Sequence, residues 1–198
     1  MFQAKSVAVT VSVGVLKSGL IEFSPPLPRR KQEAIQRMQM EGGTKLVYVF
    51  TKEPRPLIPD NLTYMCHNGK APRWWTPSYL RNSSKYQVIS SYVTSHKAAV
   101  VDAMTESEAL QVGLEELSTL LAVPMKDLTS QLVFRKRIAW SKDPFVLGAY
   151  AYCPPGTAIG NPGQDALVDA RVELAKSVDG VLFFAGEATA YFSNPQTV

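Results

Sequence analysis

The sequence predicts a mixed α and β fold, and three observations carry that expectation. Val7, Val9, Val11 and Val13 alternate with small or polar residues, Lys45 to Phe50 reads KLVYVF, and a leucine stripe follows a capping signal after Met104. Strands and helices show neither the regular alternation of βαβ units nor the even strand spacing of a sandwich, so the class is α+β.

The valine alternation has period two, which makes the opening stretch a strand rather than a signal peptide. Gly14 and Gly19 break it, and SPPLP at Ser24 to Pro28 forces an extended or turning segment. Arg30 to Met40 then places Ala34, Ile35 and Met38 on one face of an amphipathic helix, which Gly42 and Gly43 end. After the strand Lys45 to Phe50, the proline-studded TKEPRPLIPDN is a loop. Tyr86 to Val93 and, more weakly, Lys97 to Val101 read as strands.

Thr105 and Glu108 have the spacing of a capping box, in which a hydroxyl accepts from a free backbone N–H and a carboxylate reaches back. Leu110, Leu114, Leu117 and Leu121 follow as one apolar stripe, and Pro124 ends the helix. Glu106, Glu108, Glu115 and Glu116 fall on its solvated side by the same periodicity. Gln131 to Ala139 and Leu147 to Tyr152 read as strands, with Val133 and Phe134 on opposite faces. Asp165 to Ser177 is moderately helical, and a final strand, Val181 to Phe184, runs into Gly186 and Glu187.

The 198 residues are 45% hydrophobic, enough to bury a sizeable core in one large domain or parts of two. The net charge of +4 is mild. Its two basic clusters, Arg29 to Lys31 and Arg135 to Arg137, flank apolar runs and read as solvated faces, so no nucleic acid is expected to bind directly. Cys66 and Cys153 make no metal spacing, and His67 and His96 are the two histidines, which disfavours a metal site and a Ser/His/Asp triad. With neither a cleavable leader nor a long apolar span, no membrane span is expected and a cytoplasmic location is favoured. The sequons at Asn61 and Asn82 matter only in an exported protein.

No GxGxxG opens a helix after a strand, so the turn that normally grips a dinucleotide pyrophosphate is not in this sequence. What it does contain is FFAGEAT at residues 183–189 followed by NPQTV at 194–198. Together with VTVSVGVLKSGLIEFSPPLPRRKQEAI, RWWTPSY and IAWSKDPFVLGAYAY, in that order, these segments resemble the flavin-containing amine oxidases, the family of polyamine oxidases, monoamine oxidases and lysine-specific histone demethylases.

The resemblance implies a division of the chain. Residues 1–16 would be a strand of the FAD-binding domain, 17–139 the substrate-binding domain, and 140–198 a truncated carboxy-terminal FAD-binding segment. An amino-terminal FAD-binding half would then be a missing partner, and this chain alone would be inactive. The implied parent reaction oxidises a polyamine-like amine to an imine and then an aldehyde, with O₂ reduced to H₂O₂. A non-catalytic module derived from the fold, or an inactive truncated product, is the alternative. Lys45, Trp140 and Glu187 together favour an enzyme parent.

Site residues follow from the same resemblance. Lys45, which by composition alone is a lysine snorkelling at a strand edge, matches the catalytic lysine that holds a water against flavin N5, following the Met-x-Gly-Gly-Thr segment. Trp140 matches the tryptophan packed beside the flavin, and Tyr150 an aromatic wall of the substrate cage; read alone, both are ordinary core aromatics. Gly186 would let backbone approach the FAD, Glu187 would bond its sugar or ribityl side, and Thr197 and Val198 would supply main-chain contacts to the isoalloxazine. Covalent members carry a cysteine immediately before the cage aromatic; Ala149 stands there, implying non-covalent FAD. Of the adjacent Trp74 and Trp75, at most one can face a cavity, because neighbours on a strand point to opposite sides. The loop EPRPL replaces a Phe-Trp pair present in many relatives.

Overall fold

A computed structural model describes residues 2–77, 83–155 and 169–191. In chain order the elements are β1 (Val7–Val9), α1 (Val13–Lys17), α2 (Arg29–Arg37), β2 (Gln39–Met40), β3 (Gly43–Thr51), β4 (Tyr64–Cys66), β5 (Arg73–Trp75) and β6 (Tyr86–Thr94). Then come α3 (Ser95–Ala103), α4 (Glu106–Leu121), α5 (Met125–Gln131), β7 (Leu132–Ala139), β8 (Ala151–Tyr152), α6 (Ala170–Ala175) and β9 (Leu182–Phe184), with a 3-10 turn at Glu187–Thr189. The chain divides into two compact units: residues 42–140 form one, and residues up to 41 and from 141 onward form the other.

Within residues 42–140 the described strands form a sheet in the order β4-β5-β6-β3-β7. All its pairings are antiparallel. β3 and β6 are nine residues each and pair over their full length, Lys45 opposite Tyr92. One face of this sheet is the core. Leu46, Tyr48 and Phe50 on β3, Ile89 on β6 and Trp74 on β5 are buried there, and α4 lays Leu110, Leu114 and Leu117 against them. Tyr48 donates its hydroxyl to the Leu110 carbonyl at 2.8 Å, close to Gly113, where a side chain would strike the ring.

The capping box of α4 is formed as the sequence implies, with the Thr105 oxygen accepting from the Glu108 N–H and the Glu108 carboxylate accepting from Thr105. Pro124 proves to start the next helix rather than end this one: α4 already stops at Ala122, which adopts a left-handed conformation. Gln87, a polar residue on the core face of β6, acts as a substitute strand. Its side-chain oxygen accepts from the Leu57 and Ile58 N–H groups at 2.9 and 3.0 Å, which fastens the proline-rich loop.

Two further readings change here. Lys97 to Val101 lies in helix α3, not a strand, because Ala98, Val101 and Asp102 are buried at helical spacing. Glu116 is not solvated with the other acidic residues of α4: it accepts from the Lys70 and Ala71 N–H groups at 2.7 and 2.9 Å and meets His67 at 3.1 Å, clamping the β4–β5 turn.

In the other unit β1 and β9 run parallel, Val9 opposite Phe184, and β2 pairs antiparallel with β8. The valine alternation gives a strand only as far as Val9. Ser12 then caps α1, its oxygen accepting from the Val15 N–H, and Val13 and Val15 are both buried on that helix. Helix α2 buries Ala34 and Ile35 as expected, with Met38 buried just beyond it, but it ends at Arg37, before the glycines. Leu147 to Tyr152 is strand only at its last two residues. Leu147 and Gly148 have φ of +53° and +129°, and Gly148 lies so close to the Glu41 carbonyl that a side chain would collide with it. The helix expected over Asp165 to Ser177 is α6, shorter than read; residues 165–168 lie outside the described residues.

Lys31 is the largest departure. Read as part of a solvated basic cluster, it is buried, and its ammonium donates to the carbonyls of Glu173 and Leu174 at 2.8 and 2.7 Å and to that of Lys176. It therefore caps the carboxy end of α6, where helix carbonyls lack partners of their own.

Candidate functional site

The sequence-assigned residues fall into two groups, one in each unit. In residues 42–140, Lys45 stands on the sheet face opposite the core, because Leu46 and Tyr48 point to the other side. Its Nζ is 5.2 Å from the ring centroid of Trp75 and 5.4 Å from that of Trp140. Tyr92, paired with Lys45 across the β3–β6 ladder, packs edge-on against Trp140 at 6.0 Å. Among the described residues the ammonium makes no hydrogen bond or ion pair. It is a cation held between two indoles, an arrangement that fixes its place while leaving three N–H donors for a water or ligand.

The adjacent tryptophans divide as strand geometry requires. Trp74 is fully buried in the core beside Tyr48, and Trp75 joins Lys45. Trp75 and Tyr92 were not singled out as site residues in the sequence. The RWW alternation limits the choice to one tryptophan of the pair, whereas Tyr92 is placed only by a cross-strand register that local sequence does not reveal.

In the second group, Gly186 and Glu187 follow the carboxyl end of β9, beside the carboxyl end of its parallel neighbour β1. A crevice of about 180 Å³ opens there, lined by Thr10, Ser12, Gly186, Glu187 and Thr189 among others. Ligands of parallel sheets bind in such positions. Gly186 has φ of +122°, a conformation strained for any residue with a side chain, and this turns the chain out of the strand.

The Glu187 carboxylate accepts from the Ala151 N–H at 3.2 and 3.3 Å, and Arg171 lies 3.9 Å from it. Partial burial raises its pKa, while the Ala151 N–H and Arg171 pull the other way. About 30% of the side chain is exposed, so lone pairs remain for an incoming hydroxyl. Tyr150, the residue before Ala151, is half-exposed. Arg171 and Ala151 escaped the sequence reading; their link to Glu187 spans 16 and 36 residues and leaves no local signal. Thr197 and Val198 lie outside the described residues.

No helix among the described residues is long and apolar enough to cross a membrane, and none of their His, Cys, Asp and Glu side chains group as a metal site.

The sequence profile described as flavin containing amine oxidoreductase matches residues 1–194. The chain belongs to this family. Among flavin amine oxidases, it is 31% identical over 204 residues to lysine-specific histone demethylase 1 homolog 2 of Arabidopsis thaliana, an alignment covering 96% of the chain and 24% of that protein. It is 27% identical to probable polyamine oxidase 5 of the same plant, covering 94% and 41%. The human lysine-specific histone demethylase 2 is 28% identical, covering 100% and 23%. The fold matches a putrescine oxidase variant redesigned for cofactor binding, with a TM-score of 0.73, 17% identity, and coverage of 98% of this chain and 39% of that one. The chain thus spans between about a quarter and two-fifths of the length of these flavin amine oxidases.

Proposed function

We propose that this chain is the substrate-binding and carboxy-terminal FAD-binding part of an FAD-dependent amine oxidase that acts on a polyamine-like amine and O₂ and holds its flavin non-covalently. The observation that carries the reading is Lys45, an ammonium caged by Trp75 and Trp140 with its donors free among the described residues. The residues present also fit the cofactor. Gly186 brings backbone to the strand end without a side chain, and Glu187 offers a partly exposed carboxylate beside the crevice, the acceptor a sugar hydroxyl requires. Residues 1–16, 17–139 and 140–198 would contribute to the FAD-binding domain, the substrate domain and the FAD-binding domain again.

Flavin, when bound, supplies the two-electron acceptor for amine oxidation. The chain's part is orientation and electrostatics. Lys45 would donate a hydrogen bond to a water and so fix it at the reacting edge. Trp140 and Tyr150 would present aromatic surface to the flavin and to the amine, excluding bulk water from an imine that hydrolyses readily. Glu187 would receive a hydroxyl of the sugar or ribityl portion, and Thr197 and Val198 would offer main-chain groups. Ala149, in the position where covalent relatives carry cysteine, leaves no thiol there to bond the flavin.

The test is co-expression with the amino-terminal FAD-binding half of a related oxidase. The complex should be yellow and consume O₂ with a polyamine. Lys45→Met should retain flavin and slow reoxidation of the reduced protein by roughly 10²-fold, the range of a positioned acid or base. Equal reoxidation by mutant and wild type would return Lys45 to a snorkelling role.

A further inference from the structure

Arg171 is buried to about nine-tenths of its side chain, yet the Glu187 carboxylate stands 3.9 Å from it, too far for a direct hydrogen bond. Its fork instead closes on two backbone carbonyls. One terminal nitrogen donates to the Glu187 carbonyl at 3.1 Å and the other to the Ala151 carbonyl at 2.5 Å. Ala151 in turn donates its N–H to both oxygens of the Glu187 carboxylate. The three residues form a closed ring in which β8 is gripped on its C=O by Arg171 and on its N–H by Glu187.

The ring is anchored at its third corner. Asp169 caps α6 and accepts from the Arg171 N–H at 2.7 Å, so the backbone from which the guanidinium extends is itself fixed. The second nitrogen, 3.9 Å from the nearer Glu187 oxygen, acts on the carboxylate through charge while it donates to the Ala151 carbonyl. A guanidinium can do both at once because its donors are spread in a rigid plane; a lysine ammonium offers the charge without the fork.

We propose that Arg171 is a positioning residue for Glu187, holding the carboxylate on the Ala151 N–H and setting a positive charge beside it at the strand-end crevice so that it can accept from a ligand hydroxyl. The role of the crevice as a nucleotide edge rests on the function proposed above, but the Arg171–Ala151–Glu187 ring does not. Among the described residues, Arg171 is the charged side chain that acts on the Glu187 carboxyl.

The experiment uses the full chain without flavin. Side-chain ¹³C NMR follows the Glu187 titration, and hydrogen exchange follows the Ala151 amide, in wild type, Arg171→Met and Arg171→Lys. Arg171→Met should move the Glu187 midpoint upward and speed Ala151 exchange roughly tenfold, as expected for losing about one hydrogen bond's worth of protection. Arg171→Lys should restore the midpoint but not the slow exchange, a split that simple loss of packing would not produce. If Arg171→Met fails to fold, the Lys variant decides: wild-type exchange at Ala151 would overturn the fork's role. An unchanged Glu187 midpoint in a folded Arg171→Met would overturn the proposal outright. Since no flavin is present, these outcomes are independent of flavin retention, which tests the functional reading.

Discussion

The Lys31 ammonium sits 4.3 Å from the ring centroid of Phe184 while it caps the last carbonyls of α6. Burial lowers its pKa from 10.5 to about 8, with the Glu173 carboxylate opposing that fall and Lys176 adding to it. The unfolded chain keeps this proton up to about 10.5, so between about 8 and 10.5 it binds more protons than the folded chain does. Lys31 therefore makes folding more favourable as pH rises through that window. Lys31→Met should remove this rise, and at pH 7 it should lower stability by about 1–3 kcal/mol, because buried carbonyls lose their donor. Urea melts of both proteins between pH 7 and 10.5 would show whether the slopes differ.

Gly113 is a packing requirement. A side chain there would come within 2.3 Å of the Tyr48 hydroxyl and 2.8 Å of Leu46, and Tyr48 is fully buried with no room to retreat. Gly113→Ala should destabilise by about 1–3 kcal/mol despite the better helix propensity of alanine. Tyr48→Phe should recover part of that loss by removing the nearest atom. Thermal melts of the two single variants and the double variant would give the coupling, and strict additivity would refute the clash.

The amino end of α4 should be sensitive to acid. Glu108 titrates below its ordinary value of 4.5 because the Thr105 N–H and hydroxyl favour its charged form, and Glu106 does so chiefly because the Arg137 N–H binds it. Groups with depressed folded pKa values contribute fully above the unfolded value, and that contribution is lost as pH falls through the folded one. Thr105→Ala should cost about 1 kcal/mol at neutral pH and somewhat less in acid, where the hydroxyl's bond to the Glu108 carboxylate is weakened but the cap on the Glu108 N–H is still lost. The gap between the denaturant midpoints of mutant and wild type should accordingly narrow from pH 7 to pH 3.

In a flavin-loaded complex, acid precipitation should leave the flavin in the supernatant. Ala149 cannot form a thioether, and Cys153, three residues beyond the cage aromatic, stands too late in the chain to take its place. Yellow colour retained in the washed pellet would require another point of attachment.

What the sequence disclosed was local. The Thr105–Glu108 box and the leucine stripe lie within one helix, and KLVYVF alternates buried with half-buried positions as a one-sided strand must. Lys97 to Val101 misled because alanine and valine in a row suit either element, and only the burial of Ala98 and Asp102 four residues apart selects the helix. Lys31 could not be recognised as a cap, since its carbonyl partners are 142 to 145 residues away. The candidate site shows the same division. Lys45 and Glu187 stand out by their neighbours in sequence, whereas Tyr92 and Arg171 reach them only through strand register and a distant turn.

Thr44, at the start of β3, pairs directly with Ala139, at the end of β7. The chain therefore enters and leaves the 42–140 unit through two adjacent antiparallel strands, like a drawer opened and shut on one pair of rails. A body whose two ends lie side by side can be excised or exchanged whole, because a short turn would reseal either cut.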